Sequence, residues 1–112
     1  MLAVDVHPDV YAELEHSRKW YDERAANLGT DFLDEVDRAV RAVRQAPSTW
    51  PFYDSERDIR RYLVHRFPYG VIYRVKDPVI QILAVMHLRR RPDYWRGRLR
   101  DSNSRAGGPY KA

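Results

Sequence analysis

Residues 59–95 read IRRYLVHRF (59–67), PYGVIYRV (68–75), KDP (76–78) and VIQILAVMHLRRRPDYW (79–95). Three β-rich runs are separated by Pro68 and by Lys76-Asp77-Pro78, the second of which suits a tight antiparallel hairpin. In the middle run Tyr69, Val71, Tyr73 and Val75 alternate with Gly70, Ile72 and Arg74, which predicts two distinct faces and a core role for Tyr69 and Tyr73. Residues 79–88 are almost continuously apolar, the mark of a strand covered on both faces in the middle of a sheet. That strand empties into His87, Arg89, Arg90 and Arg91, with Tyr94 and Trp95 just beyond, and function is expected at this end.

Working outward, the N-terminal half reads differently. Leu2, Val4 and Val6 alternate with Ala3 and Asp5, a short strand expected to pair with a later one. His7-Pro8-Asp9 opens a helix, because proline suits the first turn and an acid favours the positive end of the dipole. Val10, Leu14, Ser17, Tyr21, Ala25 and Leu28 form its stripe, and Gly29 is expected to end it as a left-handed cap. Thr30 or Asp31 then caps a second helix with Phe32, Leu33, Val36, Ala39, Val40, Val43 and Ala46 on its apolar side, stopped by Pro47. Residues 48–56, with Trp50, Phe52 and Tyr53, are expected to be an aromatic loop that plugs the edge of the core. Residues 92–99 are expected to form a short basic helix or turn.

The predicted fold class is therefore α+β: an antiparallel sheet, made of a short N-terminal strand and a three-strand meander, with a two-helix hairpin on one face and a short basic C-terminal helix. Residues 1–100 are expected to form one domain, and residues 101–112, rich in Gly and Ser, a flexible tail. There is no cysteine, so disulfides and thiolate metal sites are excluded. Neither a secretory signal nor a membrane-length apolar run is visible, and a cytoplasmic location is expected.

Charge divides the chain. Residues 1–56 hold 6 Lys and Arg against 12 Asp and Glu, a net −6; residues 57–112 hold 14 against 4, a net +10. A basic side on a small protein attracts polyanions, so nucleic acid or an acidic protein segment is the expected partner.

Several motifs in fixed order carry a family resemblance: Trp20-Tyr21, residues 29–33 (GTDFL), Pro47, Ile59-Arg60-Arg61, Phe67-Pro68-Tyr69, Val71-Ile72-Tyr73 and residues 84–90 (AVMHLRR). Together, over residues 1–99, they resemble the RelE/ParE superfamily of bacterial toxins. The resemblance implies a type II toxin held by a cognate antitoxin that is acidic and partly disordered, with no cofactor and no metal.

Two activities are known among such toxins. RelE-like members cut messenger RNA on the ribosome, and ParE-like members poison DNA gyrase. RNA cleavage of this kind needs a base, a phosphate-binding cation and an acid. For it the candidates are His87, Arg89, Arg90 and Tyr94, with Arg61 and Arg66 as further phosphate contacts and His65 as another proton carrier. Against it, the RelE-like arginine three positions before the strand tyrosine falls on Gly70, and the chain's lysines, Lys19, Lys76 and Lys111, miss the RelE-like positions around the second strand. The reading leans to a ParE-like gyrase poison, with Arg90, Tyr94 and Trp95 as target-binding anchors. A fold kept as a non-catalytic module that binds antitoxin or nucleic acid is the third alternative.

Overall fold

The computed structural model describes residues 2–91 and 93–101. Its elements are β1 (Ala3–Val6), α1 (Pro8–Asp22), α2 (Leu28–Gln45), β2 (Phe52–Asp54), a 3-10 turn (Ser55–Arg57), β3 (Ile59–Leu63), β4 (Tyr69–Lys76) and β5 (Val79–His87). The α+β class holds, but the sheet differs from expectation. It has five strands in the order β1-β5-β4-β3-β2 and it is mixed. β1 runs parallel to β5, with Ala3 opposite Val79 and Val6 opposite Ile82, while the other pairs are antiparallel. The fifth strand, β2, comes from the segment expected to be a loop. Two helices intervene between β1 and the meander, and β1 lies at the sheet edge beside the meander's last strand.

β4 keeps the predicted alternation. Tyr69, Val71 and Tyr73 join the core beneath the helices, together with Val10, Tyr21, Phe32, Val36, Val40 and Val43, and Val75 packs against it. Ile72 lies in a second core on the opposite face with Ile59, Leu83, Ala84, Met86 and Trp95. In β5 the alternation slips, because the ladder shifts between Ile72/Ala84 and Tyr73/Ile82 and Leu83 is the extra residue. This bulge lets Leu83 and Ala84 both serve the second core. β5 is nevertheless buried on both faces from Ile80 to Met86, as its apolar run requires.

The helix start is as expected: Pro8 sits in the first turn and His7 caps it, its Nδ1 accepting from the Asp9 backbone N–H at 3.1 Å. The junction is not at Gly29. α1 stops at Asp22, Asn27 takes the left-handed conformation (φ 64°), and Gly29 lies inside the first turn of α2. Neither Thr30 nor Asp31 is the cap. The Gly29 N–H instead donates to Oδ1 of Asp22 at 2.8 Å.

Beyond β5 the chain crosses the second face. Trp95 sits in the second core, with Tyr53, Tyr94 and Leu99 packed around it. The expected C-terminal helix reduces to turns over residues 93–97 and one helical turn at Arg98–Asp101. The tail at 102–112 lies outside the described residues. No helix among the described residues is long and apolar enough to cross a membrane.

Candidate functional site

The C-terminal end of β5 meets α1 and the loop that follows it. His87 is half-buried, its ring edge-on to Tyr69 with centroids 5.0 Å apart. Its Nδ1 accepts from the Arg89 N–H at 3.1 Å, so in the neutral ring the proton resides on Nε2. The Tyr69 hydroxyl is hydrogen-bonded to Ser17 Oγ at 3.1 Å, joining this strand end to α1.

His87, Arg90 and Tyr94 line one depression of about 320 Å³ with Glu13, His16 and Ser17 of α1. A neighbouring depression of about 410 Å³ shares His16, Ser17, Tyr69 and His87 and extends to Trp20 and Pro68. Arg90 places its guanidinium carbon 3.9 Å from the centroid of the Tyr94 ring. Burial, and after it the Glu13 carboxylate, pushes the Tyr94 hydroxyl far above the usual phenol range. Tyr94 therefore holds its proton through neutral pH.

The other candidates lie elsewhere. Arg61 is on the opposite face of the sheet, where its stem covers Gly70: a Cβ on Gly70 would come 2.9 Å from Arg61 Cδ. Its guanidinium carbon lies 5.4 Å from the Tyr53 ring centroid. Leu63 and Leu88, 54% and 43% exposed, border the same place and make it an apolar shelf. The shelf adjoins a depression of about 660 Å³ lined by Trp50, Phe52, Tyr53, Arg61 and Leu63 at the β2 edge. Arg66 pairs with Asp31 of α2 at 3.3 Å, and His65 is exposed in the turn between β3 and β4. Arg89 and Arg91 are exposed beside Arg90. Among the described residues, Arg61, Arg89, Arg90 and Arg91 form no ion pair with a carboxylate.

Trp95, expected as an exposed anchor, is 1% exposed and belongs to the core. The apolar surface of Ile59, Ile72, Leu83 and Met86 needs a cover, and the indole supplies it. Arg98 is likewise no solvated surface residue. It donates to both carboxylate oxygens of Glu13 at 2.7 and 3.1 Å and to the Leu83 carbonyl at 3.0 Å.

Glu13, His16 and Trp20 were not singled out as site residues from the sequence. The i, i+4 spacing of His16 and Trp20 places them on one side of α1, a legible signal. Nothing in the sequence tied Glu13 to Arg98. Among the described residues no group of three or more His, Asp or Glu side chains converges to hold a metal ion.

Residues 4–92 match the family model described as the ParE toxin of type II toxin-antitoxin system, parDE. Among solved structures, a chain of the chromosomal ParDE TA system from P. aeruginosa superposes with a TM-score of 0.70 at 19% identity, covering 79% of this chain and 97% of that one. No curated protein sequence matches.

Proposed function

The chain belongs to the ParE toxin family of type II toxin-antitoxin systems, and from that premise we propose that it arrests growth by poisoning DNA gyrase through protein contact, without cutting RNA. One observation carries the choice. The further phosphate contacts are set apart from the proton carrier: His87 faces α1, Arg61 lies on the opposite face of the sheet, and Arg66 is engaged by Asp31. General acid-base cleavage of a phosphodiester needs base, cation and acid within hydrogen-bond reach of one phosphate. Where RelE-like toxins carry an arginine, Gly70 lies under the Arg61 stem between Leu63 and Leu88, an environment poorly suited to phosphate.

The exposed run Arg89–Arg91 and the Arg90–Tyr94 stack are better suited to docking on a protein. Arginine and tyrosine are enriched among residues that dominate interfaces. The cognate antitoxin, acidic and partly disordered, is expected to mask the exposed arginines and to cover the Leu63–Leu88 shelf. Gyrase as target also implies action in the cytoplasm.

The grouping of His87, Arg90 and Tyr94 in one depression favours a second reading, ribosome-dependent RNA cleavage by these three with Arg89. Purified protein assayed in parallel on gyrase supercoiling and on ribosomes translating a defined message separates the two. Inhibited supercoiling with intact message is the expected result. Message cut at discrete codons, with cleavage abolished in His87→Ala, would overturn the gyrase reading.

A further inference from the structure

The Arg90–Tyr94 stack is held from behind. Arg98 lies at the edge of β5 just past the end of β1, whose ladder closes at Val6–Ile82, with the His7 N–H donating to the Ile82 carbonyl at 3.0 Å. At the next residue the Leu83 carbonyl, in the bulge, accepts from Arg98 at 3.0 Å, and the same guanidinium grips both oxygens of Glu13. The Arg98 guanidinium carbon also lies 5.2 Å from the centroid of the Tyr94 ring, Glu13 and Tyr94 line the same depression, and Arg90 stacks on the ring at 3.9 Å. A chain of contacts thus runs from the bulge carbonyl through Arg98, which Glu13 holds in place, to the Tyr94 ring and on to Arg90.

We propose that Glu13 and Arg98 are positioning residues, which set Tyr94, and through it Arg90, in the geometry that the target reads; this rests on the contact reading above. The two side chains are 16% and 12% exposed, too withdrawn to form a contact surface themselves. Withdrawn ion pairs gain little net stability, because desolvation offsets most of the attraction, whereas their directional hydrogen bonds define geometry. A guanidinium suits the task. Its planar fork satisfies Glu13 and the Leu83 carbonyl at once, and an ammonium lacks that fixed geometry.

The test is a double-mutant cycle on purified protein, read as the concentration that half-inhibits gyrase supercoiling, with a thermal melt of each variant. Tyr94→Phe removes the hydroxyl whose proton the Glu13 carboxylate helps to retain, and Glu13→Gln keeps shape while losing charge. Each alone should raise the half-inhibiting concentration about 10-fold, and the pair together should raise it little further, because coupled residues are not additive. Arg98→Lys should behave as Glu13→Gln does, and it replaces that variant should Glu13→Gln lower the melt. A folded Glu13→Gln protein as potent as wild type, or losses that multiply in the double variant, would overturn the positioning role. Should wild type cut message and spare gyrase, the gyrase reading falls, and the same cycle read on the cleavage rate still decides for or against the pair.

Discussion

The backbone N–H of Gly29, in the first turn of α2, donates to the carboxylate of Asp22, the last residue of α1, at 2.8 Å. One hydrogen bond thereby satisfies an open N–H at the start of α2 and ties the two helices together. A Cβ on Gly29 would lie 2.7 Å from that same Oδ1 and closer still to the Arg18 carbonyl oxygen. Gly29→Ala should therefore destabilise the protein by about 1–3 kcal/mol, the usual range for overpacking. Alanine's helix-propensity advantage of ~1 kcal/mol does not rescue it, because the obstructing carbonyl is backbone and cannot swing away. Chemical denaturation measures the difference, and a midpoint equal to wild type would show that the helices part freely.

Trp95 yields a prediction opposite in kind to that of an interface anchor. Its indole fills the second core, so Trp95→Ala should cost about 3–5 kcal/mol of folding stability. Loss of target binding would follow from unfolding. A variant that melts as wild type does, yet no longer inhibits its target, would return Trp95 to the surface.

Leu63 and Leu88 are exposed in the isolated chain, so replacing each with arginine should change its stability by no more than ~0.5 kcal/mol. Antitoxin affinity should fall about 10-fold or more if the shelf is covered in the complex. Calorimetric titration with purified antitoxin decides this, and unaltered affinity in both variants would place the antitoxin elsewhere.

Association with the antitoxin should slow as salt rises. Arg61, Arg89, Arg90 and Arg91, which have no carboxylate partner among the described residues, steer an acidic partner, and salt screens that attraction beyond a Debye length of ~10 Å at 0.1 M. Stopped-flow on-rates at several salt concentrations test it, and a rate independent of salt would remove the steering.

Burial pushes the Tyr73 hydroxyl up to about 12 from its ordinary 10.0, and this hydroxyl donates to the Pro47 carbonyl at 2.6 Å. Burial raises Tyr21 to about 12 as well, helped by neighbouring Tyr69. Because the folded state holds these protons more tightly, their contribution is whole below about pH 10 and is lost as pH rises towards about 12. Tyr73→Phe should be less stable than wild type by about 1 kcal/mol at neutral pH, through the lost hydrogen bond. It should lose less of its stability in the alkaline range. Parallel alkaline limbs for the two proteins in denaturation at a series of pH values would contradict the assignment.

Local chemistry was enough for the parts of the fold that depend on neighbours in sequence. The alternation of Tyr69, Val71 and Tyr73 against Ile72 assigned the two faces of β4, the His7-Pro8-Asp9 signal placed the start of α1, and the unbroken apolar run of β5 announced a strand buried on both sides. Three outcomes needed the assembled structure. β1 pairs parallel to β5, a partner at the far end of the chain, and no local pattern specifies which strand edge remains open or in which direction it is joined. The bulge at Leu83 carries part of β5 across the faces, and two-residue periodicity does not report an insertion among apolar residues that all look alike. Within the candidate site, residue type identified His87, Arg61, Arg90 and Trp95 as able to act. Whether they meet depends on which side of the sheet each one faces and what must be covered there: the sheet parts His87 from Arg61, the second core claims Trp95, and Glu13 and Arg98, far apart in sequence, come together at the strand edge that β1 leaves open.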